Sequence, residues 1–172
     1  ALIKRCRRGD RKAHEELVGH YEKPVFNAAY RILGNPDDAA DATQVVFMKA
    51  FEHLGQYDPK YKFFSWIYRI AINESINQLK RGRNQQSLDD TEISATRSPD
   101  ATVEAGDLSR EIQGGLMKLS EDYRTVIVLR HFSECSYQQI GEILQIPEKT
   151  VKSRLYSARQ IMKDSLQSRG VY

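Results

Sequence analysis

Apolar residues return along this chain at three- and four-residue intervals, and nowhere do they alternate in the two-residue rhythm of a strand. The first long stripe is Ala13, Leu17, Val18, Tyr21, Val25, Ala28 and Ile32, which predicts a helix from Arg11 to Leu33 with Asp10 as its N-cap and Gly34 as its stop. Asn35 and Pro36 then form an N-cap and first-turn pair, with Asp37, Asp38 and Asp41 near the positive end of a second helix predicted to reach about Leu54. On that helix Asp41, Gln44 and Met48 share a face that the core does not require. A loop from Gln56 to Lys62, containing Pro59, precedes a third helix from Phe63 to Arg81, whose wide apolar side includes Ile67, Tyr68, Ala71, Ile72 and Ile76.

Across 84–104 the periodicity disappears, with Gln, Ser, Asp, Thr and Pro in place of apolar residues, so a flexible linker is expected there. Helical spacing resumes with Leu108, Ile112, Leu116 and Leu119, and again behind a cap at Ser120 with Tyr123, Val126, Ile127, Leu129 and Phe132. Ser136 with Gln139 three residues on is a capping box, opening a short helix that carries Ile140 and Leu144. Gln145, Ile146 and Pro147 make a turn, and a last helix from about Glu148 buries Val151, Leu155, Ala158 and Met162. The expected fold is all-α: two small helical domains, without an internal repeat, on either side of the linker.

The last helix turns Lys149, Lys152, Ser153 and Tyr156 away from its apolar stripe. Positive, hydrogen-bonding and aromatic groups on one helix suit phosphates and base edges in a major groove, so 136–159 reads as a DNA-binding helix-turn-helix. An ordinary helical hairpin with a solvated basic face has the same pattern.

Charge sharpens the picture. Basic and acidic residues number 15 and 10 in 1–83, 1 and 6 in 84–107, and 10 and 7 in 108–172, so the net charge of +3 hides two basic lobes around an acidic connector. That distribution suits nucleic acid at both ends of the molecule. Hydrophobic residues make up 40% of the 172, enough for two modest cores. No apolar run reaches the length of a membrane span, and the basic start at Lys4, Arg5, Arg7 and Arg8 is unlike a signal peptide, which predicts a cytoplasmic protein. Cys6 and Cys135 lie far apart, and His14, His20, His53 and His131 show no ligand spacing, so no disulfide, metal or cofactor is expected. Cys135 reads as a small buried hydrophobe. No nucleophile-base pair or phosphate-binding glycine loop predicts a catalytic residue or a small-molecule substrate, and the expectation is a protein that is not an enzyme.

Three runs in series, DAADATQVVFMKAF (38–51), FFSWIYRIAIN (63–73) and LSEDYRTVIVLRHF followed by SYQQIGEIL and TVKSRLYSAR, resemble the extracytoplasmic-function (ECF, group IV) class of sigma-70 family sigma factors. The resemblance implies a region 2 domain over 1–83 that binds core RNA polymerase and the minus-10 element. It also implies a linker over 84–104 and a region 4 domain over 105–172 that binds the minus-35 element. By the same resemblance Asp41, Gln44 and Met48 would meet the clamp helices of the beta-prime subunit, and region 4 would meet the beta flap. Tyr57, Tyr61, Lys62, Phe63 and Asn73 would engage an unpaired minus-10 strand, whose bases offer π-faces and Watson-Crick edges. Arg130, Lys149, Thr150, Lys152, Ser153 and Tyr156 would hold the minus-35 duplex, and Lys80, Arg81 and Arg83 would face phosphates or end a solvated helix. An anti-sigma factor that wraps both domains is implied as a further partner, and the acidic linker would thread toward the RNA exit channel.

Several residues have a plainer explanation beside the implied one. Asp41 complements a helix dipole whatever it binds, and Phe64 and Trp66 are spaced as core residues. Three positions depart from the family pattern: Val45 where Glu is usual, Ser157 where Arg is frequent, and Glu134 where Gly is common, which predicts an altered turn before the helix-turn-helix. Two other functions fit parts of the chain: a stand-alone helix-turn-helix regulator, and a helical adaptor that binds only proteins.

Overall fold

The computed structural model describes residues 1–86 and 103–171, and every regular element among them is helical. Four helices build the N-terminal lobe: α1 (Leu2–Arg7), α2 (Arg11–Leu33), α3 (Pro36–Glu52) and α4 (Phe63–Gln86). Four more build the C-terminal lobe: α5 (Val103–Lys118), α6 (Glu121–Ile127), α7 (Tyr137–Leu144) and α8 (Glu148–Ser168).

The caps are where local chemistry places them. The Asp10 carboxylate accepts from the Ala13 N–H, Asn35 accepts from Asp37 and Asp38, and Ser120 accepts from Tyr123. Gly34 closes α2 in the left-handed conformation, φ 76°, that glycine adopts without a Cβ clash. Differences from the expected elements lie at their edges. The six-residue α1 is an addition; its Cys6 is buried and Leu2 and Ile3 pack on the core, so tertiary burial sustains a helix too short to stand alone. α3 ends two residues early, and a single 3₁₀ turn, Leu54–Gln56, follows it. α4 runs on through Gly82 to Gln86, since one glycine costs a helix only about 1 kcal/mol and Arg83 beyond it pairs with Glu121 at 2.9 Å. Of the expected linker, 84–86 and 103–104 are helical, and 87–102 lie outside the described residues. After α6 the chain forms a π-helical turn, Val128–Phe132.

Within the N-terminal lobe α2, α3 and α4 pack on one another around Leu17, Val25, Ile32, Val46, Ile67 and Ile72. In the C-terminal lobe α6 and α8 meet around Leu116, Val126, Leu129, Ile140, Val151 and Leu155. The lobes do not stand apart: α4 packs on α7, and α2 packs on α5, α6 and the π turn, so that one apolar cluster runs through both. Arg124, only 4% exposed, joins them, donating to Leu116, Met117 and Leu119 carbonyls in its own lobe and to the Ile32 carbonyl at 2.7 Å in the other. Arg69 of α4 reciprocates with a 2.7 Å bond to the Glu142 carbonyl of α7.

Candidate nucleic-acid and polymerase interfaces

Three surfaces collect the residues singled out by sequence. On the first, the helix-turn-helix, the Ser136 hydroxyl accepts from the Gln139 N–H at 3.1 Å while the Gln139 side chain accepts from the Ser136 N–H at 2.9 Å, completing the capping box. Gln145 turns the chain in the left-handed conformation, φ 55°, and the Ile146 N–H returns to the Gly141 carbonyl. A Cβ on Gly141 would sit 2.9 Å from the Ile146 carbonyl oxygen, so the turn closes tightly because position 141 has no side chain. Val151, Leu155 and Ala158 are buried, with Met162 half-buried behind them, and that orientation leaves Lys149, Lys152, Ser153 and Tyr156 exposed, Tyr156 at 69%. Thr150 is half-buried at the edge of this face.

Arg130 is held rather than free. Its guanidinium donates to the Cys135 carbonyl at 2.9 Å and lies 4.8 Å from the centre of the Tyr137 ring, and Lys152 approaches the same ring at 5.9 Å. Tyr137 thus gathers two cations on one side of the motif by cation–π attraction. Its place as the first helical residue after the capping box was the available signal in the sequence, but only the fold brings α8 against it. Glu134 adopts φ 56°: the backbone takes the left-handed turn that glycine favours, with a glutamate accommodated in it, so the departure at this position appears as strain. Cys135 is 1% exposed and burial raises its thiol pKa to about 11, the inert hydrophobe expected. His131 accepts from Arg159 Nε at 3.1 Å, and burial first, with the positive Arg159 and Arg130 beside it, holds its pKa below the ordinary histidine value.

The second surface is the loop between α3 and α4 with the start of α4. Tyr61, Lys62 and Asn73 are exposed. Tyr57 and Phe63 are each only 8% exposed and pack edge-to-face at 5.3 Å, while the Tyr57 hydroxyl donates to the Tyr61 carbonyl at 2.6 Å. Both rings therefore form the loop's interior in this conformation and present no open face. Trp66 and Phe64 are half-buried against the core. A cleft of about 360 Å³ opens beside the loop, walled by Gln56, Tyr57, Asp58, Tyr61, Trp66 and Arg69, with Glu142 of α7 and Gln145 of the turn after it also lining it. The buried Ser65 hydroxyl also lines it and has no hydrogen-bond partner.

The third surface is the outer face of α3, where Asp41, Gln44 and Met48 stand one turn apart and exposed, Met48 at 69%. Val45 is half-buried beside them. Glu74, 3% exposed, lies under this face and binds Lys49 and Arg81. Burial pushes the Glu74 carboxyl pKa up, but hydrogen bonds from Lys49 and Arg81 outweigh it and the net shift is downward. The basic end of α4 is accordingly engaged with carboxylates: Arg81 with Glu74, and Lys80 and Arg83 with Glu121.

Known proteins resemble this chain in sequence and in fold. The family models described as Sigma-70 region 2 and Sigma-70, region 4 match residues 17–85 and 109–162. The ECF RNA polymerase sigma factor SigW of Bacillus subtilis is 34% identical over 95% of this chain and 94% of its own length. The chain belongs to the ECF sigma factors. The RNA polymerase sigma-H factor of Pseudomonas aeruginosa is 32% identical over 96% of this sigma factor and 92% of its own chain, and the ECF sigma-E factor of Escherichia coli K12 is 30% identical over 96% and 93%. Among solved structures, CnrH in complex with the cytosolic domain of CnrY superposes with a TM-score of 0.76 at 23% identity, covering 97% of this chain and 96% of that one. The sigma factor RpoE of Bartonella quintana, solved with the anti-sigma factor NepR, gives 0.73 at 24% identity over 89% and 96%. These two likenesses carry the fold. The match to region 2 occupies the half where a stand-alone regulator would need an effector domain, which sets that alternative aside. Among the described residues no helix is long and apolar enough to cross a membrane, and no three histidine, cysteine or acidic side chains cluster as a metal site would require.

Proposed function

We propose that this sigma factor docks on core RNA polymerase through Asp41, Gln44 and Met48, reads an unpaired minus-10 strand with the α3–α4 loop, and anchors on the minus-35 duplex with α8. The observation that carries the reading is the serial order of three surfaces on one chain: an exposed polar-and-Met stripe, a cleft-bearing aromatic loop, and a capped helix-turn-helix with a cationic face. Tyr61, Lys62 and Asn73 would contact the strand directly, and Tyr57 and Phe63 would shape the loop from inside. Lys149, Thr150, Lys152, Ser153 and Tyr156 would face the major groove, with Arg130 near a phosphate. The functional division would be 1–83, 84–104 and 105–172, the last also meeting the beta flap.

The same reading makes the protein a cytoplasmic binding factor that is not an enzyme, controlled by an anti-sigma factor. Two of its structural neighbours were solved with such regulators or their domains, which supports the last point by analogy. The test is to mix the chain with sigma-free core polymerase and a promoter library. Run-off transcripts from promoters sharing two elements are expected; no association with core polymerase overturns the proposal.

A further inference from the structure

α1 does more than cover the bundle. It ends in Arg7, whose Nε donates to the Leu54 carbonyl at 3.1 Å and whose terminal nitrogen donates to the Tyr57 carbonyl. The guanidinium also lies 5.9 Å from the centre of the Tyr57 ring. These carbonyls belong to the 3₁₀ turn and its C-cap: the Leu54 oxygen accepts Arg7 beside the Tyr57 N–H that closes the turn, and the Tyr57 oxygen lies at the turn's carbonyl end, where a cation is favoured. From Tyr57 the restraint passes onward, since its hydroxyl holds the Tyr61 carbonyl and its ring packs on Phe63 and Trp66. One side chain therefore holds the start of the segment that frames the 360 Å³ cleft directly, and its end at Tyr61 through Tyr57.

Arg7 is itself well placed to do this. Cys6 is buried, the His14 ring bonds the Cys6 carbonyl at 2.9 Å, and Arg5 pairs with the α2 cap Asp10 at 2.9 Å, so α1 is clamped to α2 and delivers Arg7 from a rigid support. The forked guanidinium matters because it offers two separate nitrogens in fixed geometry, one to each carbonyl, whereas an ammonium's three donors sit on one nitrogen.

We propose that Arg7 is a positioning residue for minus-10 reading: it sets the loop 54–62 in the shape that discriminates bases, without touching DNA. The proposal rests on the loop reading given above. Its test uses holoenzyme assembled on core polymerase and single-stranded oligonucleotides carrying the minus-10 sequence recovered from the promoter library, against the same strands substituted one base at a time. Arg7→Ala should lose about tenfold of the discrimination between matched and substituted strands, the scale of one charge-assisted hydrogen bond. Arg7→Lys, able to reach one carbonyl, should lose less. Core-polymerase affinity should stay within about twofold of wild type, and Arg8→Ala, which removes the same charge one residue away, should leave discrimination intact. A uniform weakening on every strand, with the salt slope falling by about one unit, would make Arg7 a phosphate ligand and overturn the proposal. Unchanged discrimination in Arg7→Ala would overturn it as well, as would parallel losses in core binding that mark general unfolding. If wild-type holoenzyme shows no base preference, the loop reading itself fails, an outcome separate from the failure of Arg7.

Discussion

Glu134 sits at φ 56°, a backbone state that costs an L residue with a Cβ about 1–2 kcal/mol and glycine almost nothing. Its side chain is exposed, and it directly precedes Cys135, whose N–H bonds the Leu129 carbonyl at 2.9 Å, so the turn is held from both sides and the strain persists. Glu134→Gly releases the strain but frees the unfolded chain, and the two effects partly cancel. The variant is expected to gain about 0.5–1 kcal/mol, seen as a higher urea midpoint at unchanged slope. At this scale the sequence was most legible where a residue acts on its immediate neighbours: the caps Asp10, Asn35, Ser120 and Ser136 each bond the backbone two or three residues away. Burial of Tyr57 and Phe63 was not legible, because an aromatic loop residue looks the same whether its ring faces a base or another ring.

At the level of elements, helix existence followed from the apolar period and helix edges did not. α1 was missed because Lys4, Arg5 and Arg7 make up half of it and only three apolar residues mark its packed side. α4 outran its expected end with Arg83, beyond that end, paired to Glu121, a partner remote in sequence. The turn between α7 and α8 shows the reverse case, a local signal with a spatial cause: Gly141 lies inside a helix, where alanine gains about 1 kcal/mol from propensity alone. The Ile146 carbonyl, 2.9 Å from the missing Cβ, reverses that sign because backbone must move to admit a methyl. Gly141→Ala should therefore lose about 1–3 kcal/mol of stability by denaturant titration. It should also weaken binding to a minus-35 duplex while core-polymerase affinity holds.

For the whole molecule the decisive contact is Arg124. Its guanidinium meets the last carbonyls of α2 from one lobe and of α5 from the other, two helix C-termini whose dipoles both favour a positive charge. Among the described residues no carboxylate lies within salt-bridge distance of it, and burial lowers its pKa, with Arg83 lowering it further and Glu121 opposing, so the carbonyls are its direct partners there. Sequence gave no sign of this: Arg124 reads as one more charge in the first turns of a helix, and its partners are defined only once both helices have ended beside it. The same contact explains why two lobes expected on a tether are packed together, with α7 lying along one wall of the minus-10 cleft. Reading two promoter elements with the loop and α8 together would ask α7 to leave that wall, and the inter-lobe bonds of Arg124 and Arg69 would break, with those between Arg31 and Gln113 and between Arg83 and Glu121 among the others that cross. Arg124→Met keeps the side chain's length and strands the carbonyls, so a loss of about 3 kcal/mol or more is expected, larger than any surface ion pair between the lobes would give. Lys80→Ala, which removes a 4.0 Å exposed pair with Glu121, supplies that comparison and should shift stability by under about 1 kcal/mol. If the loss falls mainly on the contact between lobes, small-angle scattering of Arg124→Met under native conditions will show a larger radius of gyration at unchanged helical content. An unchanged radius would mean that the apolar cluster shared by α2, α4 and the C-terminal helices holds the lobes without it.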